Sequence, residues 1–539
     1  MRKPGGRTLL GGAALLALCA ALFLRDLGAI PLLDPDEPRY AGPAREMARG
    51  GDLLVPRLNG EPRLEKPILF YWLSAASLRV LGESEFAARL PSALAATATV
   101  LATAFFAARR FGARAGLLSG ALLALSPQFL VLARVAVTDM TVTLFASLAF
   151  FAFDGARRGS GRCFLGCAAA LGLAAATKGP PAVLPLALAL GLALALRRER
   201  FPARGATLAA GATLFLGLAL AWPAALRLRL GAEAWWTWAA SVVGRESVGR
   251  FLGGYQHPEP PTFYLLFLAG GFFPWTLLLL GAIPAALRAA RTEEPPRPSL
   301  SLLLWAGTTV LFFSLSRSKL GSYVTPAYPP LAILCGAWLA REGEGRGRLL
   351  LWRVAGACAL LAFPAAFLLA PLWGRGAERD ALLASPWVAV GAAGIALLGV
   401  AAGVFGRVAP ALAGAALALS SLVGAVADAS RVLFEEDARA AELGRRMAEA
   451  AGPDGTLVVV GKLREGLVYY ADRTVAKERD LEVALRHQPQ GGRLVVLVGR
   501  RRLEAAPTSL RARFREDASL ERGSYGSTSI LVAPPGGGD

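Results

Sequence analysis

In LLDPDEPRYAGPAREM, residues 32–47, three carboxylates and an arginine fall within six positions: Asp34, Asp36, Glu37 and Arg39, with Tyr40 beside them. A further carboxylate, Asp139 in ARVAVTDM, stands at the edge of an apolar run, with Arg134 shortly before it. An ionisable group at membrane depth is costly, which makes it a functional candidate. A positioned carboxylate takes a proton from an attacking hydroxyl or phosphate, or orients it. Helix capping is the competing explanation, because an aspartate ahead of a helix satisfies free backbone N–H groups. Capping accounts for Asp36 but not for Glu37, Arg39 and Tyr40; for Asp139 both readings stay open.

Cations collect in other segments. EPRLEKP (61–67) brings Lys66 next to Glu65, GRESVGRF (244–251) brings Arg245 and Arg250, and SRSKLGSY (316–323) brings Arg317 and Lys319 with Tyr323. Each alone is equally a lipid-headgroup contact or a solvated loop charge. Together with the carboxylates they suit a lipid phosphate or pyrophosphate, which needs cationic donors. No Gly-rich phosphate loop accompanies them, so a nucleotide is not expected at this site.

The elements that must position these groups are membrane helices. The chain is 55% hydrophobic and only 18% charged over 539 residues, too little charge for a soluble protein of that length. Apolar runs long enough to span recur about thirteen times, near 8–25, 87–108, 114–131, 139–156, 163–177, 180–196, 206–224, 262–285, 301–315, 324–340, 349–372, 386–405 and 408–428. The pair 163–177 and 180–196 is split by KGPP and reads as a broken pair. The basic start (Arg2, Lys3, Arg7) and first apolar run suit a signal peptide or an uncleaved helix; the many spans that follow favour the helix.

The net charge of +19 is not a nucleic-acid signature. Residues 431–539 hold 18 basic against 16 acidic residues, so the excess lies in the membrane half. There it forms short clusters: Arg109, Arg110 and Arg114; Arg157, Arg158 and Arg162; Arg197, Arg198, Arg200 and Arg204; Arg341, Arg346 and Arg348. Placing these in the cytoplasm puts the N-terminus inside and the C-terminus outside. The chemistry-bearing segments then share the outer face, and the inner loops are chemically plain. The five cysteines, Cys19, Cys163, Cys167, Cys335 and Cys358, lie in apolar segments without disulfide or zinc spacing.

The first loop, residues 26–86, is ordered in this reading. PRYAGPAREMARG places Tyr40, Ala44 and Met47 on one helical side, and PILFYWLSAASLRVLG is an amphipathic, aromatic helix suited to the bilayer interface. Residues 1–429 form the transmembrane domain. Residues 430–539 form a small α/β domain, with helix DARAAELGRRMAEAAG and strands TLVVVG, RLVVLVG and SILVAP.

The chain resembles the bacterial lipid-linked sugar transferases of the GT-C type. That class includes the protein O-mannosyltransferases and the 4-amino-4-deoxy-L-arabinose transferases acting on lipid A. The resemblance rests on DPDEPRYAGPAREM, GDLLVPRLNGEPRLEKPILFYWL, FAARLPSALAA, ARVAVTDM, TKGP, GRESVGRF, HPEPPTFYL and SRSKLGSYVTPAYPPLA, within residues 30–330. It implies a GT-C fold, catalysis outside the membrane and a polyprenyl-phosphate sugar donor. It also implies Asp36 as leading catalytic carboxylate with Glu37 and Asp139 near it, and Lys66, Arg245 and Lys319 near the donor phosphate. Arg39, Tyr40, Glu65, Arg250 and Tyr323 are expected to bind substrate. Ser247 stands where the aminoarabinose enzymes carry His, and KLGSY where KLP is usual.

The expectation is an inverting, multi-pass glycosyltransferase of the bacterial inner membrane, with its C-terminal domain in the periplasm. Its partners are the polyprenyl-phosphate sugar, membrane lipids and a lipid A, glycan or protein acceptor, with no nucleic acid. No cofactor is required by the residues, and a divalent metal ion stays open. The rival class is a transporter or flippase of a lipid-linked saccharide. That class calls for an inverted repeat and polar groups deep in several spans, and the sequence has neither.

Overall fold

The computed structural model describes residues 6–196, 203–253, 257–294, 297–341, 348–359, 376–520 and 528–533. Arg197, Arg198, Arg200 and Arg346 lie outside them, as does the second half of the span expected over 349–372. The chain is a mostly helical, multi-pass membrane protein. Among the described residues, five helices are long and apolar enough to cross a bilayer: Glu85–Phe111, Asp139–Ala156, Gly205–Leu230, Pro298–Leu315 and Val408–Asp428. The count rises to seven if each of two bent pairs is one span. Ala113–Ala124 turns by 68° into Pro127–Ala133, and Phe263–Gly271 by 108° into Trp275–Thr292. A proline stands at each break (Pro127 and Pro274), where the missing N–H and fixed φ stop a straight helix. Gly205–Leu230 is apolar all round yet little buried by protein, so lipid must cover it.

The first loop is tied down by one buried ion pair. Helix Asp36–Ala48 presents Tyr40, Ala44 and Met47 inward, against Phe70 and Tyr71 of helix Leu69–Leu81. Glu37 is fully buried and meets Arg89 of Glu85–Phe111. All four acceptor positions of its carboxylate are filled: Oε1 accepts from Arg89 Nε at 2.8 Å and Ala136 N at 2.7 Å, and Oε2 from an Arg89 terminal N–H at 2.6 Å and Leu33 N at 2.8 Å. Arg89 gives its other N–H groups to the carbonyls of Leu27, Ile30 and Pro31. A buried pair survives desolvation only when its remaining donors and acceptors are met in this way.

The C-terminal residues fold as helix Glu435–Ala451 and a five-stranded sheet. Numbering all strands in chain order, the first loop contains a hairpin, β1 (Arg57–Leu58) with β2 (Glu61–Pro62). The sheet consists of β3 (Thr456–Val460), β4 (Val475–Glu478), β5 (Leu494–Gly499), β6 (Arg515–Leu520) and β7 (Thr528–Ala533), in the order β4-β3-β5-β7-β6. β3 pairs in parallel with β4 and β5, and β7 is antiparallel to β5 and β6. β4 and β6 were not among the expected strands.

The helices beside this sheet, Glu435–Ala451 and Glu465–Ala471, are seated on the first loop through polar contacts. Asp34 accepts from Gly466 N at 2.6 Å, and Asp437 accepts from Asp34 N at 2.9 Å. Arg39 donates to Glu465 at 2.7 and 3.0 Å, and Arg49 to Asp472 at 2.7 and 2.9 Å. The basic clusters expected to be chemically plain carry one buried partner. Arg110 and Arg158 both pair with Asp154, a buried carboxylate in helix Asp139–Ala156.

Candidate active site

A cavity of about 340 Å³ opens between the first loop, the broken helix pair and residues 239–253 and 305–326. Small-molecule sites start at roughly this size (~300–1,000 Å³). One end is charged, with Glu65, Lys66, Asp139, Lys178, Glu246 and Arg250 together with Tyr323; the other is apolar, with Leu184, Leu186, Trp305, Phe312 and Phe313 among its walls.

Local folding explains how each charge arrives. Helix Gly161–Lys178 stops at Gly179, whose φ of +74° suits glycine, and Pro180 and Pro181 prevent its continuation. Lys178 therefore sits at a helix C-terminus and Asp139 at the N-terminus of the preceding one, each where the helix dipole favours its charge. Lys178 Nζ donates to Asp139 Oδ1 at 2.7 Å and lies 4.8 Å from the Tyr323 ring centre.

Residues 239–253 form a π-helix, in which Ser247 Oγ donates to Val242 O, five residues back, at 2.7 Å. Such wide turns cost regular hydrogen bonding and recur at functional sites. This one turns Glu246 and Arg250 into the cavity. Glu246 pairs with Lys66 and, at 3.1 Å, with Arg250; Arg250 also donates to the Tyr323 hydroxyl at 2.7 Å. Glu65 pairs with Arg63 at 3.0 Å and keeps the more open face, its side chain 38% exposed. Lys66, Glu246, Arg250, Tyr323, Lys178 and Asp139 thus form one chain of charged and polar contacts.

Of the residues singled out in the sequence, Glu65, Lys66, Asp139, Arg250 and Tyr323 meet at the cavity. The others are placed elsewhere. Glu37, expected as catalytic, is sealed in the pair with Arg89, with no lone pair left for substrate. Asp36 is the first residue of its helix, 72% exposed, 4.0 Å from Arg39 and absent from the cavity wall. It makes no capping hydrogen bond either; Pro35 holds the cap position. Arg39, expected at the substrate, is held by Glu465. Tyr40 is buried against Phe70 and Tyr71, with ring centres 5.4 and 5.6 Å away. Arg245 points to solvent. Lys319 is buried, its ammonium donating to the carbonyls of Glu259, at 2.8 Å, and of Ser316.

Lys178 and Glu246 were not singled out. Both stand inside segments that were, TKGPP and GRESVGRF. The helix break and the i, i+4 spacing of Glu246 to Arg250 were the available signals. Among the described residues no three His, Cys, Asp or Glu side chains gather to hold a metal ion. Ser247, where His was expected, turns its hydroxyl to the backbone instead.

With the geometry in hand, comparison with known proteins is informative. Residues 65–222 match the family described as dolichyl-phosphate-mannose-protein mannosyltransferase. The crystal structure of ArnT from Cupriavidus metallidurans bound to undecaprenyl phosphate superposes with a TM-score of 0.76, over 98% of both chains, at 23% identity. The chain shares that fold. In sequence it is 31% identical over 350 residues to the undecaprenyl phosphate-alpha-4-amino-4-deoxy-L-arabinose arabinosyl transferase of Pectobacterium atrosepticum, covering 61% of this chain and 59% of that one. The enzyme of the same name from Pseudomonas aeruginosa is 35% identical over 341 residues, 61% of this chain and 60% of the relative. The chain therefore aligns with about three fifths of the length of these curated relatives, which it resembles in sequence.

Proposed function

We propose that the protein is a membrane glycosyltransferase. It moves a sugar from a polyprenyl-phosphate donor to an acceptor at the outer face of the bacterial inner membrane. The observation that carries this reading is the cavity itself. Three cations, Lys66, Lys178 and Arg250, and three carboxylates, Glu65, Asp139 and Glu246, meet at the head of an apolar slot. A lipid phosphate sugar has the same two halves. The full account has about thirteen spans, the N-terminus cytoplasmic and residues 430–539 a periplasmic α/β domain. The relatives' names make undecaprenyl-phosphate-linked 4-amino-4-deoxy-L-arabinose the first donor to test, and the resemblance of the sequence to the lipid A transferases makes lipid A the first acceptor.

The reaction is a single displacement that inverts the anomeric carbon. The acceptor oxygen attacks that carbon, and its proton passes to a carboxylate. Glu65 suits this role best, being at the cavity and more open than its neighbours. The bond from the anomeric carbon to the phosphate oxygen breaks, and its electron pair leaves with the polyprenyl phosphate. Lys66 and Arg250 hold the charge that develops there, as donors aimed at a leaving group do. Lys178 holds the Asp139 side chain in place at the charged end of the cavity.

Full-length protein in nanodiscs, given the undecaprenyl-phosphate aminopentose and lipid A, should release free undecaprenyl phosphate and modified lipid A in equal amounts. Release without acceptor modification, or neither product, defeats the reading. A lipid-linked sugar recovered unchanged on the opposite leaflet of a vesicle would favour the flippase instead.

The site has a pH signature. Burial pulls the Lys66 ammonium below the ordinary lysine range; Arg250 and Lys178 act in the same direction and Glu246 against it. Its contact with a phosphate is present below that lowered pKa and is lost as pH rises through it. Donor affinity should fall on the alkaline side, earlier than an ordinary lysine titrates. Lys66→Arg, which stays charged, should remove that limb. An unchanged limb in the arginine variant would assign the titration to another group.

A further inference from the structure

The sheet of the C-terminal region does not touch the cavity through any side chain on its wall, yet one of its edges holds the loop that delivers Glu65 and Lys66. β4 is an edge strand, so on its outer side the backbone N–H and C=O lack a strand partner. Asn59 covers them at Val475: its Oδ1 accepts from Val475 N at 2.7 Å and its Nδ2 donates to Val475 O at 2.9 Å. The carboxamide does what a neighbouring strand would do.

Asn59 is the tip of the β1–β2 hairpin. Asn59 and Gly60 have φ of +56° and +82°, the two-residue turn that Asn-Gly favours. The turn is closed by strand pairing of Leu58 with Glu61 and by Arg63 N donating to Pro56 O at 2.7 Å. Residues 56–63 are therefore one closed unit. Arg63, largely buried beside Tyr71, leaves that unit and pairs with Glu65 at 3.0 Å, and Lys66 follows into the cavity. A displacement of the hairpin tip must move the segment carrying both cavity residues.

We infer that Asn59 is a positioning residue, through which the C-terminal sheet holds Glu65 and Lys66 at the cavity. This rests on the proposed function for its consequence on turnover. Its structural half stands by itself, and the C-terminal region gains a role: a brace for the loop that meets the donor.

The decisive variant is Asn59→Gly. Gly-Gly still makes the same turn, so the substitution removes the carboxamide and spares the hairpin. In full-length protein in nanodiscs, amide hydrogen exchange over residues 57–66 should speed up, while exchange over 139–156 stays unchanged. KM for the polyprenyl-phosphate donor should rise about tenfold, within reach of two neutral hydrogen bonds. Asn59→Asp, which can still accept from Val475 N but not donate to Val475 O, should fall between. Arg49→Gln is the control: it removes another contact between the first loop and this region, made from the end of helix Asp36–Ala48 to Asp472 rather than from the hairpin, and should leave donor KM unchanged.

Unchanged exchange over 57–66 in Asn59→Gly overturns the inference. So does an equal rise in KM in Arg49→Gln, which would make docking in general, not the hairpin tip, the cause. If the wild-type protein transfers no sugar, the proposed function fails, and the exchange experiment still decides whether Asn59 holds the loop.

Discussion

Lys66→Ala should lower kcat/KM for the polyprenyl-phosphate donor by roughly ten- to a hundredfold, the effect of one lost charge-assisted contact of ~1.5–3 kcal/mol. Arg250→Ala should do the same, and the double variant should fall further but less than the product of the two. The shortfall arises because Lys66 and Arg250 share Glu246, and partners in one network are not additive. Two cations near them in sequence or charge should behave differently. Arg245 faces solvent, so Arg245→Ala should leave donor kinetics within twofold, as surface charges do. Lys319 is buried on two carbonyls, so Lys319→Ala should reduce stability and spare donor KM in the protein that does fold. Steady-state rates against donor concentration, beside melting curves, separate these cases. Equal, small losses at Lys66 and Arg245 would remove the phosphate site from the cavity.

The second large effect is structural. Glu37→Gln leaves Arg89 buried beside a neutral amide that cannot accept at all four positions now filled. Breaking one half of a buried pair costs ~3–5 kcal/mol. Here the loss would fall on the packing of the first loop against Glu85–Phe111 and residue 136. Poor yield and early melting are expected for Glu37→Gln, and Glu37→Met with Arg89→Met together should recover part of the stability. A catalytic Glu37 predicts the reverse, a Glu37→Gln protein that folds normally and is inactive. Asp36→Asn, one residue earlier in the helix and exposed, should fold normally; its turnover reports whether the exposed carboxylate reaches the acceptor.

The difference between Asp36 and Glu37 shows what was legible in the sequence. The density of charge in DPDEPRY marked an important turn, and spacing placed Tyr40, Ala44 and Met47 on the buried side of a helix, as observed. What Glu37 does depends on Arg89, whose partnership spans 52 residues and leaves no local trace. Asp139 was legible because an acid at the start of an apolar helix is costly wherever it lies. Its partner Lys178 was hidden in TKGP, a segment marked as a helix break and as part of the resemblance, with no role assigned to the lysine. Cations presented the hardest case, because Arg245, Arg250 and Lys319 look alike in a sequence. The π-helix turns Arg250 inward and leaves Arg245 outside, and backbone carbonyls capture Lys319. Five of the expected apolar runs, 87–108, 139–156, 206–224, 301–315 and 408–428, correspond to single helices long enough to span, but the bends at Pro127 and Pro274 needed the structure. β4 was missed because VAKE is short and polar at an edge, with Asn59 as its outer partner.

The most direct test of the central claim is a single-turnover assay of full-length protein in nanodiscs. The donor is undecaprenyl-phosphate-linked 4-amino-4-deoxy-L-arabinose, the acceptor lipid A, and free undecaprenyl phosphate is measured against modified acceptor. The account predicts one-to-one formation of both products by the wild-type protein, and near-complete loss in the protein carrying Lys66→Ala and Arg250→Ala. Transfer by that double variant at the wild-type rate would contradict it, because the leaving phosphate would then be handled somewhere other than this cavity.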